Sequence, residues 1–343
     1  MKQRNHAFDF LCAICIFRMI TLHVMQFCGK ADEGWWTEIM SWSYFFMSFF
    51  FFKAGYFNKG TTSNSTAYLK DRARRLLVPY VCCGLIGNLV YFVFLPFLIA
   101  RFKFPIEPLS WSHIWETSSY YGNQPVWFLF SFFCSYVVVH ILDKVRFLPL
   151  IVVLFPFVGY FLFCNENPLW LGLNNVFMGV FFFYLGRLWH RAIACFSRRC
   201  VFVASLLMCL CFVFLHFMFP SAYVMSANRF TGSLWLLLPQ TVFVLCGLSG
   251  FLLSVSFPRL PLVNFVGEHS MVYFISHYPM LYFYKFMHLS FGRSIYGRYD
   301  DVLILLPVIF GLCSWLVPFV ERIPWLSGRY KIEETPQQTS STE

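Results

Sequence analysis

Charge is scarce in this chain. Asp, Glu, Lys and Arg make up 12% of its 343 residues, and only 16 residues are acidic, whereas soluble domains carry about 25% charged residues. Hydrophobic residues reach 59%, with a mean hydropathy of +0.62. Length alone would suggest two soluble domains, but this composition excludes them and indicates a membrane protein.

The chain also lacks a cysteine pattern that indicates a metal site. Most of its 13 cysteines lie inside apolar stretches, where Cys is typical of a small helix-packing residue. We therefore predict no metal cofactor.

Long polar linkers are missing as well. The longest connection between apolar stretches is 101–124, which leaves no room for a separate soluble domain. The segment 332–343 is polar and rich in Ser and Thr, a composition that cannot bury enough apolar surface to fold. We therefore predict a membrane domain at 1–331 and a disordered cytoplasmic tail at 332–343.

Apolar stretches long enough to cross a bilayer recur along the whole chain. We predict an all-α, polytopic transmembrane helical bundle of about ten spans, since each crossing needs roughly 20 apolar residues. The predicted spans are 8–28, 39–58, 76–100, 125–142, 147–164, 171–189, 201–219, 233–256, 271–290 and 302–320.

Basic residues give this bundle a predicted orientation. Most of the 26 Lys and Arg fall in segments on one side, which the positive-inside rule assigns to the cytoplasm. We therefore predict that both termini are cytoplasmic and that the protein is a multi-pass protein of the cell (inner) membrane. The formal net charge of +10 would then face anionic membrane lipids, so we predict no nucleic-acid partner.

Three ionisable residues, Asp9, Arg18 and His23, lie in the first predicted span. Such groups are costly in a membrane unless paired or hydrated, so they indicate a functional interior. Asp9 and His23 are about 21 Å apart along a helix and cannot form a dyad. His23 is interpreted either as a helix–helix hydrogen-bonding group or as a general base.

Basic side chains accompany the second and third spans. Lys53 lies near the cytoplasmic boundary, where snorkelling and a direct role are both possible. Arg72 and Arg75 lie at the end of the loop that leads into the third span, at i and i+3 on one helix face. They mark either a simple positive-inside boundary or a phosphate site, since paired guanidiniums bind phosphate through bidentate hydrogen bonds.

The ninth span combines a histidine and a proline. His277 precedes Pro279 by two residues, and proline inside a membrane helix frees a backbone carbonyl that needs another partner. The pattern indicates either a water-accessible cavity beside a kink or a packing kink with a satisfied histidine.

In their order along the chain, these segments resemble the acyltransferase-3 family of integral membrane O-acyltransferases. The residues that carry the resemblance are Asp9 and His23, the aromatic run 49–56, Arg72 and Arg75 before Pro79 and Tyr80, 127–129, 184–186, and Gly267, Ser270, Tyr273 and His277. One position departs from the family pattern: Cys12 stands where the family has a basic residue. The role of that charge is therefore missing, or is carried by Arg18 or Lys53.

The resemblance implies transfer of an acyl group, usually acetyl, from cytoplasmic acetyl-CoA or another acyl-CoA to a hydroxyl of a cell-surface or exported saccharide or glycolipid. It implies His23 as the general base, with His277 orienting the donor or stabilising the oxyanion. The other implied site residues are Arg72, Arg75 and Lys53 for acyl-CoA and Trp127, Tyr273 and Ser270 for substrate. Two alternatives stay open: a transporter or flippase of a sugar or glycolipid, and a membrane scaffold without catalysis.

Overall fold

The structure of the protein is a computed structural model that describes residues 5–58, 65–102, 111–145, 148–290 and 299–330. The predicted disorder of 332–343 falls outside these residues. The helices are α1 (His6–Phe27), α2 (Gly34–Trp42), α3 (Phe46–Phe57), α4 (Ser65–Phe102), α5 (Trp111–Thr117), α6 (Trp127–Leu142), α7 (Leu148–Cys164), α8 (Asn174–Cys195), α9 (Arg198–Met218), α10 (Leu234–Ser254), α11 (Pro261–Glu268), α12 (Ser270–Ser290), α13 (Tyr299–Val320) and α14 (Pro324–Ser327).

The predicted all-α, polytopic class is confirmed. Within the described residues, seven helices are long and apolar enough to cross a membrane: α1, α4, α6, α8, α9, α10 and α13. Of the other predicted spans, 147–164 corresponds to the shorter apolar helix α7, and 271–290 to α12, which has the length but carries several polar side chains.

The prediction of one continuous span at 39–58 is wrong. The segment divides into α2 and α3, because Ser43 folds its hydroxyl back onto the Ile39 carbonyl at 2.9 Å and also accepts a hydrogen bond from Arg18. Such local side-chain bonding competes with the helical pattern. The 12 residues of α3 span only about 18 Å, too little for a full crossing.

The predicted loop before the third span is also corrected. Helix α4 begins at Ser65, eleven residues before the predicted start of that span at 76. Arg72 and Arg75 are therefore already helical, which holds their side chains at defined angles on one rigid element.

A small antiparallel hairpin was not foreseen. Strands β1 (Ala222–Val224) and β2 (Arg229–Thr231) pair between α9 and α10. Phe230 points inward onto Tyr160, while its neighbours Arg229 and Thr231 are exposed on the opposite face, as the two-residue period of a strand requires.

Helix α1 lies against α3, α10, α11, α12 and α13 and so occupies the centre of the bundle. Its contact with α11 depends on Gly267, where a Cβ atom would lie 1.7 Å from the Asp9 carbonyl oxygen. Helix α3 approaches α8 in the same way at Gly55, where a Cβ would lie 1.7 Å from the Phe183 carbonyl oxygen. Small residues permit this close approach of membrane helices, and these two contacts fix α1 and α3 around the site.

Candidate active site

Two cavities lie along α1, and several predicted site residues line them. The inner cavity, of about 360 Å³, lies toward the end of the bundle where α4 begins. The outer cavity, of about 810 Å³, lies toward the end where α1 finishes and where the hairpin forms part of its wall. In the predicted topology the inner cavity faces the cytoplasm.

The inner cavity presents cationic and amide groups in an aromatic wall. Arg72, Lys53 and Asn58 line it together with seven phenylalanine and leucine side chains and a tyrosine. The Arg72 guanidinium stacks over two tyrosine rings, with Cζ 5.1 Å from the centroid of Tyr68 and 4.8 Å from that of Tyr136. Its Nε is buried without a hydrogen-bond partner among the described residues, so this nitrogen is one donor that a phosphate or carbonyl oxygen could satisfy.

Arg75 has a different environment from Arg72. Its Nε donates to Asp71 at 2.8 Å, and Nη2 donates to the Tyr330 carbonyl at 3.3 Å. It does not line either described cavity. The predicted arginine pair is thus divided, with Arg72 in the cavity wall and Arg75 holding α4 against the segment after α14.

Lys53 lies beside the residue that departs from the family pattern. Its Nζ donates to the Cys12 sulfur at 2.9 Å and is 4.0 Å from Asp9 Oδ1. The ammonium of α3 therefore occupies the neighbourhood in which a basic side chain at position 12 would start. This favours Lys53 over Arg18 as the group that replaces the missing charge at the inner end of α1.

His23 lines the outer cavity and has a defined tautomer. Its Nδ1 lies 2.9 Å from Gln26 Oε1. Because that oxygen can only accept, Nδ1 carries the proton and Nε2 keeps its lone pair. No described residue is bonded to Nε2, so this atom can accept a proton from a hydroxyl in the cavity.

His277 stacks on His23, with ring centroids 5.3 Å apart. It is fully buried, and its Nδ1 donates to the Tyr273 carbonyl at 2.9 Å. Its Nε2 is buried without a partner among the described residues and is an acceptor in this tautomer. His277 therefore fixes the plane of the His23 ring, whereas donation to an oxyanion would require its other tautomer or an added proton.

The backbone carbonyl that Pro279 leaves without a helical partner accepts a hydrogen bond from a residue of another segment. Pro279 has no N–H for the carbonyl four residues earlier, which belongs to Ile275. Asn123 donates its side-chain Nδ2 to that carbonyl at 2.8 Å. The freed carbonyl predicted from the sequence is thus confirmed, and its partner is the buried loop before α6.

Three packed aromatic rings lie where the lining of the inner cavity meets that of the outer cavity. Phe128 packs edge-on between Phe50 and Phe274, with centroid distances of 5.7 and 5.3 Å. Phe274 lines both cavities. Two more helices contribute side chains to both cavities. On α1, Ile16 lines the inner cavity and Arg18 the outer one; on α6, Phe128 lines the inner cavity and Trp127 the outer one. We call Phe50, Phe128 and Phe274 the three-ring partition.

Comparison with known families gives the class of the protein. A family model described as an acyltransferase domain matches residues 5–319, nearly the whole chain. The chain belongs to the acyltransferase-3 family. It is therefore a membrane acyltransferase, which agrees with its helical, multi-pass architecture. Comparisons with curated proteins and with solved structures give no significant match.

The other implied substrate residues of this acyltransferase occupy three different places. Trp127 lines the outer cavity, and Ser270 lines the inner cavity. Tyr273 is fully buried and lines neither described cavity, since its hydroxyl bonds Ser314 at 2.5 Å and ties α12 to α13. Arg18 lines the outer cavity, two residues after Ile16, which lines the inner one.

One group of potential metal ligands went unnoticed in the sequence. His6, Asp9 and Glu268 bring one ligand atom each within 4.8 Å of one another, and Glu268 comes from α11, far along the chain. Lys53 already provides a cation near Asp9, and a divalent ion beside it would meet like charge. We assign no catalytic role to this group.

Sequence reasoning also missed three residues of the site. Gln26 follows His23 by three positions, which is the helical spacing of facing side chains, so this signal was available. Asn123 and Phe274 had no such signal, because only the fold brings Asn123 to Pro279 and Phe274 to the boundary between the cavities.

Proposed function

We propose that this membrane acyltransferase moves an acyl group, acetyl in the simplest case, from cytoplasmic acyl-CoA to a hydroxyl of a saccharide or glycolipid on the outer side. The proposal depends mainly on the distribution of the site residues over two cavities that share Phe274. Arg72 and Lys53 line the inner cavity, and His23 lines the outer one. A donor and an acceptor that approach from opposite faces would need this separation.

The inner cavity supports binding of an acyl-CoA. Arg72 supplies a buried donor for phosphate or amide oxygens, and Lys53 adds a second cation. The phenylalanine side chains around them would pack against the flexible thioester arm and exclude water. When bound, acyl-CoA supplies an activated thioester carbonyl.

His23 supplies the proton transfer. Nε2 takes the proton of the acceptor hydroxyl while Nδ1 stays bonded to Gln26. The acceptor oxygen then bonds to the carbonyl carbon as the carbon–sulfur bond breaks. The proton held at Nε2 leaves through the outer cavity or neutralises the departing thiolate. His277 keeps the His23 ring in place by stacking.

Transfer of radiolabelled acetyl from acetyl-CoA to a surface-glycan fraction tests the proposal in membranes that contain the full chain. We expect His23→Ala to abolish transfer, because general-base catalysis contributes about 10²–10⁴-fold. His190→Ala is the matched control, since His190 is exposed and lines neither described cavity. No transfer from any of several acyl-CoA donors, together with loss of glycan export, would favour the flippase instead.

Arg72 and Arg75 give a second comparison in the same assay. We expect Arg72→Ala to raise the acyl-CoA KM about tenfold or more, the value of one or two charge-assisted hydrogen bonds. Arg75→Ala should leave that KM within about twofold and lower thermal stability instead, because Arg75 bonds Asp71 and Tyr330. Equal effects of both variants on KM would contradict the division of the pair.

A further inference from the structure

Arg18 is a membrane-embedded guanidinium without a carboxylate partner among the described residues. Its Nε donates to Ser43 at 3.2 Å, its Nη2 reaches the Met40 carbonyl at 3.5 Å, and its Cζ lies 3.8 Å above the Phe46 ring. Its Nη1 is buried with no partner in the described part of the chain. The positive charge is held in place by neutral groups and is not neutralised by them.

Two other arginines in the protein are neutralised by carboxylates. Arg187, the buried arginine of α8, makes two hydrogen bonds to Asp143, and Arg329 is paired with Glu321. Arg18 and Arg72 share the opposite property: neither has an ion pair within the described ranges, and each lines one cavity. A buried charge is costly unless it is paired or hydrated. An uncompensated guanidinium in a cavity wall therefore suits an anion that enters the cavity.

The hairpin adds a second cation to the outer cavity. Arg229 and Thr231 lie on the exposed face of β2 and both line the cavity. Lys30, at the same end of the bundle, is bonded to Glu33 at 3.0 Å and does not line the cavity. The charged lining of the outer cavity is therefore Arg18 and Arg229 against one carboxylate, Asp32.

The spacing of Arg18 and His23 matches a single sugar unit. They are five residues apart on α1, about 7.5 Å along the axis, and both line the outer cavity. A pyranose ring that carries an acidic substituent can place that substituent near Arg18 and one of its hydroxyls near His23.

We propose that the outer cavity binds an acidic saccharide, whose carboxylate or phosphate is held by Arg18 with support from Arg229. This inference rests on the proposed function and names the class of acceptor. Arg18 thereby selects acceptors by charge, while His23 does the proton transfer.

Binding by the purified full-length protein in detergent tests this without any acyl transfer. The probes are methyl glucuronide, a hexose phosphate and the neutral methyl glucoside, and the readout is Kd from ligand-dependent thermal stabilisation. We expect at least one acidic probe to bind about tenfold or more tighter than the glucoside, since charge-assisted hydrogen bonds are roughly twice as strong as neutral ones. The two acidic probes distinguish a carboxylate from a phosphate.

Four variants test which side chains cause the preference for the acidic probe. Arg18→Gln should abolish the preference for the acidic probe, and Arg229→Gln should reduce it. Arg199→Gln removes the same charge from an exposed position that lines neither described cavity, and it should leave binding unchanged. Asp32→Asn should tighten the acidic probe alone, a gain that misfolding of a variant cannot produce.

Equal Kd values for acidic and neutral probes, absence of binding by all three, or a preference that persists in Arg18→Gln would each overturn the proposal. Its failure is separable from failure of the proposed function. Acetyl transfer that depends on His23 without charge selection would support the proposed function and contradict the acidic acceptor. Charge-selective binding without transfer would support the acidic ligand and contradict the proposed reaction.

Discussion

His23 illustrates what one residue needs from its neighbours to act as a base. A histidine in a span can equally serve packing. What separates the two roles is the partner of each ring nitrogen: Gln26 holds the proton on Nδ1, and His277 stacks against the ring. Nε2 is bonded to no described residue, and His23 lines the outer cavity.

Gln26→Leu is expected to lower kcat about tenfold or more, because loss of the accepting oxygen frees the ring to adopt the other tautomer. The KM for acyl-CoA should stay unchanged, since Gln26 lines the outer cavity only. Gln26→Glu keeps an accepting oxygen and should restore most of the activity. Steady-state kinetics of both variants check this; an unchanged kcat in Gln26→Leu would contradict the positioning role.

At the residue scale, sequence reasoning located His23, Lys53, Arg72 and Trp127, and all four line one of the two cavities. These residues stand out because polar or indole groups are unusual inside an apolar chain. Their partners were harder to predict. Arg75 has the same residue type and helix face as Arg72, and only the packing of the segment after α14 sends it elsewhere.

At the element scale, most helices could be predicted because bilayer thickness imposes a common length on apolar segments. The break between α2 and α3 could not, since it depends on Ser43 and on a hydrogen bond from Arg18 of another helix. The hairpin escaped prediction because three-residue strands are too short to show a period.

The Asn123 contact with α12 makes a prediction about stability. Asn123→Ala should lower stability by about 1–3 kcal/mol, because the Ile275 carbonyl freed by Pro279 would stay buried and unbonded. Pro279→Ala returns an N–H to that carbonyl, so the same Asn123→Ala change should cost less in the Pro279→Ala background. Thermal unfolding in detergent of the wild type, the two single variants and the double variant completes a double-mutant cycle. Equal costs in both backgrounds would show that Asn123 acts through another contact.

At the scale of the whole molecule, the three-ring partition connects the two cavities structurally, because its Phe274 lines both of them. Its rings come from α3, α6 and α12, so no local pattern in the sequence could reveal it. We expect the partition to keep water in the outer cavity away from the thioester of a bound acyl-CoA.

Phe274→Ala should therefore open a path for water. We expect hydrolysis of acyl-CoA in the absence of acceptor to rise several-fold, since removal of a ring from a packed interior leaves a cavity, here next to two others. Leu303→Ala, an exposed apolar position on α13, is the control. The hydrolysis rate of each variant is measured as release of free coenzyme A. Equal hydrolysis in Phe274→Ala and wild-type protein would show that the ring is not the barrier.

In the proposed function, donor and acceptor are used from opposite faces of one protein. Proteoliposomes with the protein in one orientation, an acceptor glycan inside and labelled acetyl-CoA outside measure this directly. We expect label on the enclosed glycan when the cytoplasmic face is outward, none in the reverse orientation, and none with His23→Ala. Label that appears only when acetyl-CoA and glycan share one side would contradict it.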